Sequence, residues 1–299
     1  MLKTSEPSFP VIGVLLATHN PTPFILEQIE SIRNQEQVST VVYWGDYGSS
    51  NETKQYVRDL LKGLKYFEIE IKKPGPAANF FELLRSSSED YVAFADQDDY
   101  WLSGKLINQF NLMKNSSRTP SLAHSNIEKL VGDKRVSRKS ICNDHLFSSL
   151  AIKNCCQGCT IMINRAAKDV ILSTLPDKII WHDWWIGIVV SITGKIYFAE
   201  ETEVLYRIHK GNTIGLPNAF QRLRNFLMRS GEPASYQIKE AIERFDQVLG
   251  PNSATTRQLQ NLISDDWRKR LVANMKAKRT RTNVVAEILH RISWTIRKP

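Results

Sequence analysis

Apolar residues recur along the first hundred positions in two alternating patterns. Short continuous apolar runs, typical of strands buried on both faces, begin near Val11, Val38, Tyr66 and Tyr91. Between these runs apolar side chains recur at helical spacing, as they do between Phe24 and Asn34. Strand and helix therefore alternate four times, which predicts an α/β fold: a Rossmann-like, mostly parallel central sheet with helices on both faces.

The pattern is less regular between residues 105 and 215. Residues 134–153 show weak periodicity and several polar side chains, so we expect a loop over the site there. Residues 179–190 carry three of the seven tryptophans. Elsewhere the spacing predicts helices over 105–114 and 165–173 and strands over 121–130, 160–163, 195–198 and 203–207.

After residue 215 only helical spacing remains, interrupted by Gly and Pro. This change predicts a body over residues 1–215 and a basic helical C-terminal extension over residues 216–299. The formal charge of +9 follows the same division, because residues 216–299 hold 16 Lys and Arg against 7 Asp and Glu. The body is therefore neutral, which favours a catalytic body over a nucleic-acid-binding one.

The last predicted helix has an apolar stripe next to basic residues, formed by Val284, Val285, Ile288, Leu289 and Ile292. Such a face lies on an anionic membrane surface or packs on the protein's own body, and the sequence leaves both open. The basic run Lys276–Arg281 has no aromatic platform beside it, so we expect no nucleic acid partner.

Composition and hydropathy indicate where the chain works. With 42% hydrophobic and 24% charged residues, the composition is that of an ordinary globular protein. No apolar run approaches the roughly 18 residues that cross a bilayer, and the first ten residues lack a secretory apolar core. The expected location is therefore the cytoplasm, including a peripheral position on the inner face of the cell membrane.

Three carboxylates follow the fourth predicted strand within four positions. Asp96, Asp98 and Asp99 fall just past its carboxyl end, where open α/β sheets bind ligands. Each opposes ionisation of the others, and a hard divalent cation such as Mg²⁺ or Mn²⁺ removes that repulsion. An EF-hand loop is excluded because its sixth position would be Trp101 instead of Gly. The alternative is a solvated acidic turn that caps the next helix.

Four cysteines lie close together in the sequence, at positions 142, 155, 156 and 159. Cys156 and Cys159 have the spacing of a metal-binding pair, and Cys142 or His145 could complete a zinc site. Only one such pair exists, however. The other interpretation is that these are reduced thiols buried in the core.

Several blocks match one known pattern in the same order along the chain. They are Leu16-Ala-Thr-His-Asn20, Gly75-Pro-Ala-Ala-Asn-Phe80, Phe94-Ala-Asp-Gln-Asp-Asp-Tyr-Trp101, His182-Asp-Trp-Trp185 and Tyr206-Arg-Ile-His-Lys-Gly-Asn212. Together they resemble the glycosyltransferase family 2 enzymes of GT-A fold, and within them the bacterial rhamnosyltransferase-like group. The similarity covers residues 11–215.

This resemblance implies roles for the charged residues. Asp98 and Asp96 match the metal-binding pair, which would hold Mn²⁺ or Mg²⁺ on the diphosphate of a nucleotide-sugar donor, with His209 as a further ligand. Asp183 matches the catalytic base, which would take the proton of the acceptor hydroxyl in one inverting displacement. From the sequence alone, Asp183 could also cap the helix that follows it.

The resemblance also implies binding residues. Donor-binding positions would be Thr18, Asn20, Asp46, Tyr47, Asn79, Asp96 and Trp101, and acceptor-binding positions Trp184, Trp185 and Gln157. One block departs from the family pattern, because Tyr47 stands where the family usually has a second Asp facing the nucleotide base. Tyr47 can stack on a pyrimidine but cannot accept hydrogen bonds as a carboxylate does, unless Asp46 takes over that contact.

The expected function is metal-dependent, inverting transfer of a sugar, with L-rhamnose from dTDP-rhamnose as one candidate, to a surface polysaccharide or lipid-linked saccharide. Two alternatives remain at this stage. One is a non-catalytic module that binds nucleotide-sugar or glycan, and the other is a sugar-phosphate nucleotidyltransferase. Against the second, the start of this chain lacks the Gly-rich loop that such enzymes use to cradle a triphosphate.

Overall fold

The computed structural model describes residues 9–132, 134–138, 147–178, 181–209, 232–250 and 253–276, and single positions at 288, 291, 292 and 295. Three members of the predicted apolar stripe, Val284, Val285 and Leu289, lie outside the described residues. Residues 139–146 of the predicted loop, with Cys142 and His145, also lie outside them, as does the predicted boundary at residue 215.

In the described part of the chain, nine strands form one sheet in the order β3-β2-β1-β4-β8-β6-β9-β5, with β7 paired to β6. The strands are β1 Val11–Thr18, β2 Ser39–Asp46, β3 Lys65–Glu70, β4 Tyr91–Ala95, β5 Tyr100–Trp101, β6 Ser121–Val131, β7 Lys134–Arg138, β8 Met162–Asn164 and β9 Lys195–Arg207. The first four pair in parallel, as the alternating pattern predicts.

Helices occupy the segments between the strands and continue after them. They are α1 Ile25–Arg33, α2 Asn51–Leu61, α3 Pro76–Ser86, α4 Lys105–Met113, α5 Phe147–Ile152, α6 Arg165–Ser173, α7 His182–Thr193, α8 Glu232–Arg244, α9 Asp246–Leu249, α10 Ala254–Leu262 and α11 Trp267–Lys276. A single 3-10 turn spans Gly158–Thr160.

Alternating side chains of the sheet enter two separate cores. From β1, Ile12, Val14 and Leu16 pack with residues of α1, α2 and α4 on one face. Leu15 packs on the other face with residues of α3, α6 and α7. Because successive strand residues point to opposite faces, a continuous apolar run is what a sheet covered on both sides requires.

Strand register brings the functional segments to one edge of the sheet. Thr18 at the end of β1 is paired with Asp46 at the end of β2, and Leu16 with Ala95 at the end of β4. The carboxyl ends of these three parallel strands therefore meet, and the acidic residues after β4 begin there.

The second half of the sheet is mixed rather than parallel. β8 runs antiparallel to both β4 and β6, while β6 and β9 are parallel to each other. β9 is one long strand where two short ones were predicted. Its register shifts after Ser125 of β6, opposite Glu200 and Glu201, so a bulge at this polar pair interrupts the apolar pattern without ending the strand.

One further expectation was wrong in detail. The predicted loop 134–153 contains β7 and α5 within its described parts. β7 completes a hairpin with β6, a pairing that depends on a partner strand and leaves little periodicity in the sequence.

The C-terminal helices are part of the body's core. Ile238 of α8, Leu259 of α10 and Ala273 of α11 belong to the same buried cluster as Trp185 and Val189 of α7. In the described residues, no helix combines the length and the apolar character that crossing a bilayer would require.

Candidate active site

The acidic loop after β4 combines burial with close negative charge. Asp99 is fully buried, and Asp96 is mostly buried. Burial, with the charges of Asp98 and Asp183 added, raises the pKa of Asp96 to about 7. The carboxylates of this loop are therefore close enough to oppose each other's ionisation.

Asp98 pairs with His209 across the site. His209 Nε2 lies 2.7 Å from Asp98 Oδ2, and both side chains are 15% exposed. The imidazole of His209 comes from the segment after β9 and packs near the ring of Phe24, with ring centroids 5.4 Å apart. The structure thus brings together two of the three residues predicted to hold a metal, although they are 111 positions apart in sequence.

Asp99 points away from solvent into the protein. Its Oδ1 accepts a hydrogen bond from the backbone N–H of Arg207 at 3.3 Å. Burial, with Asp96 and Asp98 nearby, raises its pKa well above the usual range of a carboxyl group. Asp99 therefore ties the acidic loop to β9, and its neutral form is favoured.

The acidic loop offers a possible site for a hard divalent cation. Oxygen and sulfur atoms of Asp96, Asp99 and Cys159 lie within 4.8 Å of one another. The Cys159 thiol is unsuited to Mg²⁺ or Mn²⁺, since thiolates prefer softer metals and burial beside Asp99 raises its pKa. Carboxylates of Asp96 and Asp98, with the imidazole of His209, would provide the ligands.

Cys156 and Cys159 do not form a zinc-binding pair. Both are buried free thiols, but Cys156 belongs to the core on one face of the sheet and Cys159 to the core on the other. The expectation of reduced thiols holds for these two. It is wrong for Cys155, which is disulfide-bonded.

Asp183 lies in the first turn of α7 and is held by two backbone groups. Its Oδ1 accepts a hydrogen bond from Trp184 N–H at 2.7 Å, and its Oδ2 accepts one from Gly158 N–H at 3.3 Å. The helix begins at His182 with Trp181 as the N-cap residue, so Asp183 is not the cap. Its charge reaches Asp96, whose pKa it helps to raise.

His182 packs beneath Asp183 in an aromatic environment. Its ring lies 4.2 Å from that of Phe80 and 5.9 Å from that of Phe94, measured between centroids. Burial lowers its pKa, so the neutral imidazole is favoured. A Cβ added at Gly158 would lie 2.9 Å from His182 Nε2, so this contact requires glycine. Sequence reasoning assigned neither residue a role, although His182 lies in a matched block.

Asp46 is surrounded by hydrogen-bond donors of its own chain. Its Oδ2 accepts hydrogen bonds from the hydroxyls of Thr18 and Ser49, both at 2.7 Å, and its Oδ1 accepts one from Ser49 N–H at 3.1 Å. Lys54 Nζ lies 3.9 Å away. Thr18 is itself buried and accepts from Trp44 Nε1, so Thr18 and Asp46 join the ends of β1 and β2 beneath the pocket.

Tyr47 and His19 form a stacked pair at the mouth of the site. Their ring centroids lie 4.4 Å apart with an interplanar angle of 7°. Gln97, in the acidic loop, holds the backbone of His19. Its side-chain oxygen accepts a hydrogen bond from His19 N–H, and its side-chain amide donates one to His19 O. Asn20 is exposed beside them and donates its N–H to Ser49. Sequence reasoning gave Gln97 no role, although its position between Asp96 and Asp98 could have indicated one.

Two predicted donor-binding residues are buried away from the pocket. Asn79 is fully buried and donates its side-chain amide to Gly45 O at 3.0 Å. Trp101 is 1% exposed, donates its backbone N–H to the Ser31 hydroxyl, and has Lys105 Nζ 4.1 Å from its ring centroid. Asn79 is bonded to β2 and Trp101 to α1, and neither side chain is exposed to a donor in this structure.

The predicted acceptor-binding tryptophans also need correction. Trp185 is fully buried, and Trp184 is 8% exposed with its indole N–H donated to Leu150 O. Neither has a face open to a sugar, because the apolar face of α7 packs into the core. Trp181 is partly exposed and packs on Trp184, while Gln157 is exposed next to Gly158. These two residues remain open to an acceptor.

Comparison with known proteins identifies the family. The family model for glycosyl transferase family 2 matches residues 13–169. The chain belongs to glycosyl transferase family 2. Members of this family transfer a sugar from a nucleotide-sugar donor, so this chain is a glycosyltransferase and both alternative functions are set aside. Family 2 enzymes commonly use divalent metals, and this one has an Asp-rich loop at the matching place.

Relatives within family 2 act in bacterial saccharide synthesis. The chain is 26% identical over 265 residues to the dTDP-rhamnosyl transferase RfbG of Shigella flexneri. This match covers 82% of this chain and 88% of that protein. It is 24% identical over 239 residues to the Escherichia coli UDP-Glc:alpha-D-GlcNAc-diphosphoundecaprenol beta-1,3-glucosyltransferase WfaP, covering 76% and 90% of the two chains. These matches support the rhamnosyltransferase-like group.

Solved structures confirm the GT-A fold. S. aureus TarS, residues 1–349 in complex with UDP-GlcNAc, superposes with a TM-score of 0.56 at 14% identity, covering 95% of this chain and 89% of that one. The longer TarS structure gives the same TM-score, and there the match covers 54% of that chain. The chain thus has the GT-A fold, with C-terminal helices present.

Proposed function

We propose that this family 2 transferase is a metal-dependent, inverting enzyme whose metal is held by Asp96, Asp98 and His209 and whose base is Asp183. The observation that carries this proposal is the proximity of carboxylates from two distant segments. Asp183, at the start of α7, contributes to the raised pKa of Asp96, at the end of β4. We therefore propose that the cation site and the base border the same space at the carboxyl edge of the sheet.

In the proposed reaction the acceptor hydroxyl oxygen bonds to the anomeric carbon of the donor sugar while the bond from that carbon to the diphosphate oxygen breaks. The hydroxyl proton passes to the Asp183 carboxylate, and the electron pair leaves with the nucleoside diphosphate. Mn²⁺ or Mg²⁺, when bound, supplies positive charge for that leaving group. Backbone N–H groups of Trp184 and Gly158 fix the carboxylate's direction.

The stacked pair of Tyr47 and His19 supports a donor whose nucleotide carries a pyrimidine base. Tyr47 is partly exposed, with one aromatic face packed on His19 and part of its surface open to solvent. Asp46 is occupied by Thr18 and Ser49, so we propose that it positions the loop and does not bind the base. The similarity to the dTDP-rhamnosyl transferase RfbG supports L-rhamnose from dTDP-rhamnose as the donor.

The proposed acceptor is a saccharide linked to a lipid diphosphate or a growing surface polysaccharide. This rests on the similarity to WfaP, a transferase named for a diphosphoundecaprenol acceptor. We propose exposed Gln157, next to Gly158, and partly exposed Trp181, two positions before Asp183, for contact with the acceptor. An acceptor of this kind would bring the enzyme to the inner face of the cell membrane.

Hydrolysis of a panel of nucleotide-sugars tests the proposal without knowledge of the acceptor. The full-length protein is incubated with each donor and Mn²⁺, Mg²⁺ or chelator, and nucleoside diphosphate release is measured. We expect release from one donor, loss of release with chelator, and a decrease of about a hundredfold in Asp98→Asn. Asp177→Asn, at an exposed carboxylate to which no role is assigned, is the matched control. Equal release with and without chelator would contradict the metal role.

A further inference from the structure

Helix α11 buries two polar side chains and exposes four apolar ones. Arg270 and Asn274 are 4% and 1% exposed, whereas Trp267 and Met275 are 54% and 69% exposed. Leu271 and Val272 are also exposed, at 37% and 52%. A helix that packs on a globular body normally does the opposite and buries its apolar stripe.

The inward polar side chains hold a second segment against α11. Arg270 Nε donates to Thr295 O at 3.0 Å, and Asn274 Nδ2 donates to Arg291 O at 2.8 Å. Since residue 270 meets 295 and residue 274 meets 291, the two segments run antiparallel. Ile288 and Ile292 of this second segment are 51% and 43% exposed.

The same region carries the whole net charge of the protein. Residues 267–299 contain ten Lys and Arg but only one carboxylate, Glu287, so their balance equals the formal charge of +9 of the full chain. Three of these cations, Arg268, Lys269 and Lys276, are exposed on α11 next to its outward apolar side chains. Exposed apolar surface and positive charge therefore coincide.

We propose that this docking face, formed by Trp267, Leu271, Val272, Met275, Ile288 and Ile292 with the three cations of α11, lies on a bilayer surface containing anionic phospholipids. Apolar side chains enter the boundary between headgroups and acyl chains, and the cations meet the anionic headgroups. Each Lys or Arg near such a surface strengthens binding by about fivefold. The face is mainly α11, whereas the sequence pointed to the stripe at 284–292.

The charge decides among possible occupants of the face. A second copy of the chain would bring like charges together, which disfavours a symmetric dimer. A nucleic acid would neutralise the cations but would leave Trp267, Leu271 and Met275 in water, because its backbone offers no apolar surface. An anionic bilayer surface satisfies both the cations and the apolar side chains.

Vesicle sedimentation of the full-length protein tests this proposal. Vesicles of phosphatidylcholine alone are compared with vesicles that also contain phosphatidylglycerol. We expect binding to the anionic vesicles, weaker binding in high salt, and little binding to neutral vesicles. The triple variant Trp267→Ser/Leu271→Ser/Met275→Ser should bind anionic vesicles at least about tenfold more weakly, because its apolar contacts are lost.

A matched variant controls for loss of exposed apolar surface in general. Tyr56 of α2 and Leu112 of α4 are 45% and 38% exposed, and their helices cover the opposite face of the sheet. Tyr56→Ser/Leu112→Ser should bind vesicles as the wild type does. Both variants should release nucleotide from donor at the wild-type rate, which shows that they are folded.

Two results would overturn the proposal. One is equal vesicle binding by the wild type and the triple variant. The other is a wild-type dimer, in sedimentation equilibrium, that dissociates in the triple variant without any vesicle binding. Binding is measured without donor, so an inactive protein that binds would contradict only the proposed function. An active protein that does not bind would contradict only the docking face.

Discussion

Asp183 owes its position to a glycine. The Gly158 N–H donates to its Oδ2 at 3.3 Å, and the Gly158 α-carbon faces His182, where an added Cβ would lie 2.9 Å from Nε2 and 3.6 Å from the Cβ of Asp183. His182 is confined on its other side by the ring of Phe80. A methyl group at position 158 therefore has to move His182, Asp183 or the 3-10 turn.

We predict that Gly158→Ala lowers kcat by about a hundredfold and leaves the donor KM within twofold, because a small displacement of a base affects the chemical step most. Steady-state kinetics with the full-length enzyme provide the measurement. Gly187→Ala is the control. Gly187 lies on α7, as Asp183 does, and its added Cβ would make ordinary contacts of 3.5 Å with Cys156. An unchanged kcat in Gly158→Ala would refute the positioning role.

At the level of single residues, the sequence was informative where chemistry depends on residue type and poor where it depends on exposure. Asp98 and His209 were proposed for one site, and their side chains are 2.7 Å apart. The tryptophans were misjudged, because an aromatic side chain suits a sugar surface and a core equally well. Trp185 is fully buried, and only the packing of α7 reveals that.

At the scale of elements, α4 places a buried cation beneath the acidic loop. Lys105 is fully buried, with its Nζ 3.3 Å from Gln109 Oε1 and 4.1 Å from the ring centroid of Trp101. Gln109 in turn donates to Glu203 of β9 at 2.6 Å. Burial lowers the pKa of Lys105 to about 8, although the nearby Glu203 opposes that shift. The hydrogen bond between Gln109 and Glu203 thus joins α4 to β9.

This cation gives stability a predictable pH dependence. The folded-state pKa of Lys105, about 8, is below its unfolded value of 10.5, so the unfolded chain binds more protons between these values. The destabilisation is therefore complete below pH 8 and disappears as pH rises toward 10.5. We predict that the wild type gains up to about 3 kcal/mol relative to Lys105→Met over this range.

Urea unfolding of the two proteins at pH 7, 8, 9 and 10 measures that difference. Both chains keep the same tyrosines and thiols, so contributions from those groups cancel. In Lys105→Met, Glu203 stays buried but loses the nearby cation that lowers its pKa. A carboxyl group with a raised pKa in the folded state costs stability as pH increases, so the variant becomes less stable relative to the wild type, which adds to the expected difference. A difference independent of pH would contradict the buried, titrating Lys105.

Elements with a strong period were predictable, and those defined by partners were not. The pattern placed the helix at 165–173, and α6 spans Arg165–Ser173. It divided β9 into two strands, because the polar Glu200 and Glu201 lie in a bulge that only pairing with β6 reveals. β7 depends likewise on β6, its partner in a hairpin.

At the scale of the whole molecule, the C-terminal helices and the body share one core. Phe245, between α8 and α9, is 5% exposed and belongs to the same cluster as Leu150 and Trp185. The sequence suggested a separate extension because charge and pattern both change after residue 215. Charge describes the surface, however, and the buried side chains of α8 and α10 continue the core of α7.

A shared core predicts cooperative unfolding. Phe245→Ala should cost about 3 to 5 kcal/mol of the free energy of unfolding of the entire chain, because it leaves a cavity in that core. Far-UV circular dichroism and tryptophan fluorescence in urea should report one coincident transition at lower denaturant. The exposed Val248→Ala is the control, with a change of less than about 0.5 kcal/mol. Two transitions, of which only one shifts, would show an independent C-terminal unit.

The central claim is that Asp183 accepts the proton of the attacking hydroxyl, and its amide variant tests this most directly. The measurement is the rate of sugar transfer to acceptor, or to water, by Asp183→Asn at saturating donor and metal, with donor binding determined by calorimetry in the same samples. We predict a loss of about a thousandfold in rate with donor affinity within twofold of wild type, because the amide keeps the shape but cannot take the proton. Asp177→Asn should match the wild type. A wild-type rate in Asp183→Asn would contradict the account.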